Sequence, residues 1–240
     1  MKRILSFLLL TLILAASALS AVSCGAAVEA KLGIGAIVSG ASKDATDDAS
    51  GSANVSVTAA ATLFDKNGKL IACDIDVIDA KVTVNADGTY SIPETFKTKR
   101  ELGDDYGMKM SDDQLEWYEQ AHLFERFAKG KTLEEIKNLI DEKGYGKSNV
   151  QAAGCTINAF SFVLAIEASV KDQKTVTVPR GEALTLKLIP DINGKAPASS
   201  ENGEFNMNIG AEATVGEEKL TASYGKDHKF DANGKFIVAE

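Results

Sequence analysis

Two short stretches of this chain place residue types where chemistry could occur. The first is Ala153-Gly154-Cys155-Thr156, which precedes an apolar run with helical spacing. The first N–H groups of a helix have no partner inside it, and glycine permits close approach to the backbone. Gly154, Cys155 and Thr156 could therefore hold a phosphate. Thr156 would serve equally as an ordinary N-cap. The second stretch runs from Thr98 to Lys109, is punctuated by Gly103 and Gly107, and leads into Trp117 and Tyr118, the single tryptophan beside a tyrosine. Such a loop beside the aromatic faces of Tyr106, Trp117 and Tyr118 could bed a planar ligand. The same residues also fit a loop that clamps a helix onto a sheet, with Trp117 in the core.

Other constellations are sparse. His122 and His228 are the two histidines, and neither has the spacing to a Cys or carboxylate cluster that a metal site or a Ser-His-Asp arrangement needs. Both read as surface residues. Asp44, Asp47 and Asp48 lack the alternating ligands and terminal Glu of an EF-hand and read as a solvated loop. Asp74 and Asp76 fall on one side of a strand, where they could share a proton or cation or simply keep an edge soluble. Cys73 alternates with Ile71, Ile75 and Val77, which predicts a free thiol on an apolar face; export would permit a bond to Cys155. A nucleophile with its base and orienter is not recognisable, so an enzyme in its own right is the least supported class.

The elements that must position these residues follow from periodicity. Val55, Val57, Ala59, Ala61 and Leu63 alternate with Asn54, Ser56, Thr58 and Thr62, which predicts a strand with one buried face. Asp65-Lys66-Asn67-Gly68-Lys69 turns it into a second arm over 70–77, and a shorter hairpin forms around Asp87-Gly88. Helices are expected from a cap at Asp112 or Asp113 to about Ala128, from a Thr132/Glu135 capping box through Ile140, and from near Thr156 to before Lys171. The final third repeats the beginning. Phe205, Met207, Ile209, Ala211, Ala213 and Val215 share the parity of Ala53 to Leu63, Asp231-Ala232-Asn233-Gly234 matches Asn85-Ala86-Asp87-Gly88, and Glu240 falls opposite Glu94. The expected fold class is α+β: antiparallel β-meander sheets, one full repeat plus a truncated second, with a helical segment of about three helices between them. The two sheets would bury their apolar faces against each other or on opposite sides of the helices.

The chain's address is written at its start. Lys2 and Arg3 precede an apolar run from Ile4 to Ala16, and small residues lead into Ala21-Val22-Ser23-Cys24. This is a secretory leader with a lipobox-like end, in which Cys24 would carry the lipid; Ala21 stands where lipoboxes usually carry Leu, and plain cleavage after Ala18 or Ala21 is the alternative. The expected divisions are a signal peptide over 1–23, a lipidated tether over 24–31, a full repeat over 32–172 and a truncated repeat over 173–240. The product would sit on the extracytoplasmic face of the cell membrane, with the membrane as partner through its anchor and an unidentified surface protein or small molecule as a further one. Loss of Lys2 and Arg3 moves the net charge from −8 to −10. That balance argues against nucleic acid or anionic lipid as a partner, since both need clustered Lys and Arg.

Residues 31–170 resemble the repeat of exported lipoproteins of Gram-positive anaerobes, with Gly33-Ile34-Gly35, Ser42-Lys43-Asp44-Ala45, Asp65-Lys66-Asn67-Gly68-Lys69 and Glu101-Leu102-Gly103-Asp104-Asp105-Tyr106-Gly107-Met108 as landmarks. More remotely, the hairpin followed by Ala153-Gly154-Cys155-Thr156 and an apolar helix is similar to FMN-binding domains, whose Ser-Gly-Ala-Thr motif holds the flavin phosphate. The chain departs from that motif at Ala153 and Cys155. It also carries Val150 where an attachment signal has Asp, which weighs against covalent flavin. The resemblance implies FMN as cofactor and extracytoplasmic flavin binding or electron transfer; the alternative is a non-catalytic surface module that has lost the cofactor.

Overall fold

The computed structural model describes residues 27–111, 113–198 and 201–237. The leader, Cys24, Asp112 and Glu240 lie outside the described residues. The chain is α+β, with two antiparallel sheets and a few short helices. In the first sheet, β1 (Val28–Ser39) pairs with β3 (Gly51–Asp65), which also takes the two-residue β2 (Ser42–Lys43); β4 (Leu70–Val84) follows, then β5 (Tyr90–Ser91). The helices α1 (Lys99–Leu102), α2 (Trp117–Ala128), α3 (Leu133–Lys137), α4 (Ser148–Ala152) and α5 (Phe160–Ser169) come next, and β6 (Lys174–Val178) returns to flank β1. The second sheet holds β7 (Leu184–Lys195), β8 (Gly203–Val215), β9 (Glu218–Gly225), β10 (His228–Phe230) and β11 (Phe236–Ile237). The first strand begins at Val28, inside the stretch read as a tether.

The sheets pack face to face, and the helices cover the far side of the first sheet. Val55, Val57, Leu63, Ile78 and Val82 meet Phe205, Met207, Ile209 and Phe230 in one core. Ala60, Phe64, Ile75 and Val77 meet Trp117, Phe124, Phe162 and Ile166 in the other. The helices thus lie between the sheets in sequence and outside them in space. This corrects the one-faced reading of β3. Thr58 and Thr62 are buried along with the apolar parity, and the Thr62 hydroxyl shares a 2.6 Å hydrogen bond with the Ser169 hydroxyl of α5. Gly33 and Gly35 make that layer possible. A Cβ on Gly33 would lie 2.1 Å from the Ser169 carbonyl oxygen, and one on Gly35 would lie 2.1 Å from the Ser169 nitrogen and 2.2 Å from the Ala165 oxygen. The helix backbone rests directly on the β1 backbone.

The internal likeness is visible in the hydrogen bonding. Val84 pairs with Gly51 and with Tyr90, and Phe230 pairs with Gly203 and with Phe236. The β9 and β10 strands lie in one register on β8, so together they take the place that β4 takes on β3. The two equivalent turns, at Asp87-Gly88 and Asn233-Gly234, each close with a glycine at positive φ, +76° and +70°. Both sheets share one inter-sheet core instead of forming separate ones.

The seam along β4 and β7 is closed by side chains bonded to backbone. Asp74 accepts from the Leu186 N–H at 2.7 Å, and the Tyr90 hydroxyl donates to the Gly194 carbonyl at 2.6 Å. At the hairpin end, the register shifts between Leu63 and Phe64. That irregularity sends Ile71 towards the inter-sheet core while Cys73 stays on the helical side, so the two do not share one face as the alternation predicts.

Candidate functional site

The loop before α2 is tied down at each end. Thr98 and Glu101 form a reciprocal capping box at α1, and Gly103 and Gly107 take positive φ values of +52° and +72°. Glu116, not Asp112 or Asp113, caps α2, and it is only 3% exposed. Its carboxylate accepts from Met108 N at 3.1 Å and Lys109 N at 2.8 Å, while its own N–H donates to Glu119. The Lys109 N–H holds the Glu116 carboxyl below the usual range. Trp117 consequently points inward, packed edge-on against Phe162 at 5.7 Å. Lys99 lies over the rings of Tyr106 and Trp117, its ammonium 4.9 Å and 5.6 Å from their centroids. The clamp arrangement describes this loop, and the indole is not free to stack on a ligand.

The Gly154–Thr156 stretch sits between α4 and α5, and not at a helix start. The α5 helix begins at Phe160, four residues after Thr156, because Asn158 turns the chain there by accepting from Phe160 N at 3.0 Å. Gly154 has φ +109°, and a Cβ on it would lie 2.8 Å from Leu115 Cδ1. Cys155 is buried, and burial pushes its thiol up to about 11. The N–H groups expected to meet a phosphate are used within the protein. Gln120 Oε1 accepts from Thr156 N at 2.8 Å, Ile157 N at 3.1 Å and the Thr156 hydroxyl at 3.2 Å, and Gln120 Nε2 donates to the Leu115 carbonyl at 2.8 Å. Gln120 is fully buried. Its signal in the sequence is a lone amide within the inward stripe Trp117, Gln120, Ala121, Phe124, Ala128.

The structure does bring some of the singled-out residues together. Tyr118 and Ala153, the latter beside Gly154, line an open cavity of about 440 Å³ with Arg100, Leu115, His122 and Leu123. The Tyr118 hydroxyl donates to Asp104 at 3.2 Å, a bond that raises its pKa. Tyr106, Trp117, Gly154, Cys155 and Thr156 do not line this cavity.

Next to the cavity is an ionic cluster on the edge of β4 that, among the described residues, no strand pairs at Ile75. Arg100 Nη2 bonds Glu125 Oε1 at 2.5 Å, and Arg100 Nε donates to the Ile75 carbonyl at 2.7 Å. Glu125 Oε1 also accepts from Ile75 N at 2.7 Å, so two side chains satisfy both backbone groups of Ile75 as a neighbouring strand would. Asp74 lies 3.4 Å from Arg100 Nε, and Asp76 accepts from Val77 N and Arg100 N. His122 is exposed, 3.4 Å from Glu125 Oε2. Burial lifts the Glu125 carboxyl to about 7, against the pull of Arg100 and with a push from Asp74. Burial also lifts Asp76. With one arginine facing three carboxylates, the cluster is a poor anion site and a good place to hold a proton. Among the described residues no group of His, Cys, Asp and Glu has metal-site geometry. His228, read as a surface residue, is buried with Nε2 3.2 Å from the Asn54 carbonyl oxygen, and burial lowers its pKa.

No family model matches the chain, and no solved structure matches it. Among characterised proteins it is similar to chlorophenol reductase of Desulfitobacterium hafniense, 26% identical over 165 residues. The match takes in 62% of this chain and 46% of that protein, so the chain spans about half the length of its relative.

Proposed function

We propose that the chain is an extracytoplasmic, non-catalytic binding module held at the membrane through a lipid on Cys24. The observation that carries the non-catalytic part is Gln120. Its carbonyl oxygen takes the Thr156 and Ile157 N–H groups that a flavin phosphate would need, and it does so from a fully buried position. A buried amide with this many bonds is costly to displace, so an incoming phosphate competes with an intact internal network. The ionic cluster at Arg100 and Glu125 supports the same reading, because it is spent on completing the β4 edge. The module's role is then to present surfaces to a membrane-associated partner.

A second reading retains FMN. The cavity beside Tyr118 and Arg100 supports it, as does the name of the relative, since a reductase must be supplied with electrons. An absorbance spectrum of protein purified from its own host, followed by equilibrium dialysis against FMN and riboflavin, separates the two. No chromophore and no saturable FMN binding at high micromolar ligand is the expected result; a flavin spectrum, or FMN bound more tightly than riboflavin, overturns the non-catalytic reading. For the anchor, Cys24→Ala is expected to leave the membrane pellet, and unchanged fractionation refutes lipidation.

A further inference from the structure

An open sheet edge presents backbone groups that can pair with another chain unless something meets them. The edge of β4 is met at Ile75 by Arg100 and Glu125. The edge of β7 is met at Leu186 by Asp74 and at Gly194 by Tyr90, and Pro190 between them has no N–H to offer. The edges of β6 and β9 carry exposed Lys174 and Lys219, the kind of charge that commonly guards an edge.

The β1 strand differs. β6 pairs with it only from Val28 to Leu32, and among the described residues no strand pairs on that side beyond Leu32. The ladder fixes which groups are left. Ile75 turns its N–H and C=O away from β3, it stands opposite Ala60, and Ala60 stands opposite Gly35. Alternation therefore turns the backbone groups of Gly35 and Ile37 towards β3 and those of Ile34, Ala36 and Val38 outwards. The Ile34 carbonyl accepts from the Tyr224 hydroxyl at 3.4 Å, and the Gly40 carbonyl accepts from Lys226 Nζ at 3.0 Å. Between these two contacts, among the described residues, no hydrogen bond meets the outward groups of Ala36 and Val38. The open window is thus capped at both ends and centred on Ile37.

Its composition suits a second copy. From Gly33 to Ser42 there is no charged side chain and no proline, in a chain that is 25% charged with a net charge of −8. Like copies therefore meet the least repulsion along this strip. Lys31 and Lys43 fall outside the window, because β6 covers β1 up to Leu32 and β1 ends at Ser39. Val38 is 36% exposed, and neither Val38 nor Ile37 belongs to either core. With Ile37 on a twofold axis, Ala36 of one copy exchanges both of its bonds with Val38 of the other, and the reverse. The unmet groups then satisfy one another with none left over. We propose that two copies of this chain join edge to edge through β1, antiparallel about Ile37, so that their first sheets become one continuous sheet.

The test uses protein carrying Cys24→Ala, so that no lipid gathers the copies. Sedimentation equilibrium is expected to show a dimer in exchange with monomer, and amide exchange at Ala36 and Val38 should slow as the dimer fills. Val38→Lys, at an exposed site outside both cores, should weaken the dimer about tenfold or more, because two symmetric contacts are lost and two ammonium groups approach. Fluorescence of the buried Trp117 checks that this variant is folded. Ile37→Cys should oxidise to a disulfide-linked dimer, since opposed residues of such a pair lie about 4.5 Å apart at Cα. Ser39→Cys, on the same face but two residues from the axis, leaves its two copies roughly 13 Å apart and should stay reduced. A chain that stays monomeric at millimolar concentration, a dimer that Val38→Lys does not weaken, or equal cross-linking at the two positions overturns the proposal.

Discussion

Gln120→Ala tests the central physical claim, that a buried amide closes what would otherwise be an anion cradle. The substitution strips acceptors from Thr156 N and Ile157 N and a donor from the Leu115 carbonyl. An orphaned buried polar group costs about 1 to 3 kcal/mol. Thr156 is exposed, so its N–H can recover a water, whereas Ile157 and Leu115 are half-buried. A total loss of about 3 kcal/mol follows, with the lost packing of the Gln120 methylenes included. In urea, at an m-value of about 2 to 3 kcal/mol/M, the midpoint falls by about 1 M. Trp117, buried one turn away against Phe162, reports the transition by fluorescence. Gln120→Glu keeps an acceptor for the two N–H groups but turns the donor towards Leu115 into a second acceptor, so it is expected to destabilise at neutral pH and to recover on acidification as its carboxyl gains a proton. A midpoint shift below about 0.3 M for Gln120→Ala would show that the three bonds contribute little. FMN dialysis on the same variant adds an independent reading: freed N–H groups should raise FMN affinity above that of the wild type, with riboflavin unchanged.

Other outcomes follow from particular contacts. Glu125 has its carboxyl raised from its ordinary 4.5 to about 7, so the folded chain binds that proton more tightly than the unfolded one; stability from this group is fully present below pH 4.5 and is lost as pH rises to 7. The loss is roughly 3 kcal/mol, and urea midpoints of Glu125→Gln measured from pH 4.5 to 8 should be flatter than those of the wild type; parallel profiles refute the assignment. Gly35→Ala puts a Cβ into the α5 backbone and should cost 3 kcal/mol or more, read as a lower thermal midpoint, while a neutral result would mean that the helix can shift freely. Cys73 and Cys155 are free thiols raised chiefly by burial. Protein lacking Cys24 should therefore react slowly with a thiol reagent at pH 8 and yield two thiols on denaturation; none would mean a disulfide.

What could be read beforehand depended on how much of an element's environment its own residues encode. The β3–β4 hairpin was legible because Asp65 and Gly68 encode a turn locally: Asp65 accepts from Asn67 N and Lys69 N, and Gly68 supplies φ +73°. The capping box at Thr132 was legible for the same reason, although α3 ends at Lys137 and not at Ile140. The strand β1 was missed because its defining residues, Gly33 and Gly35, break the apolar alternation to admit a helix 130 residues away in sequence. The burial of Thr62 depends on Ser169, and the placement of Trp117 on Phe162. The cradle was misread for a related reason. Local spacing places Thr156 at a helix start, but Asn158 delays the helix and Gln120, from another helix, takes the N–H groups.

The two sheets share an inward pattern and differ in their outer surfaces. In the first sheet, the face away from the inter-sheet core carries Ala60, Phe64, Ile75 and Val77 and must be covered by helices. The corresponding face of β8 carries Glu204, Asn206, Asn208, Gly210, Glu212 and Thr214, none of them buried. The inward parity of both strands is apolar, Val55 and Val57 in one and Met207 and Ile209 in the other. Because side chains alternate between faces, substitutions at every second residue can convert one surface without touching the other. The second sheet therefore needs no helical layer, and its outer face is polar enough to meet water or a polar partner. The first sheet keeps the helices, and with them the cavity at Tyr118 and the buried Gln120. The two layers thus divide the molecule into a helix-covered side that holds this cavity and an open side that is polar.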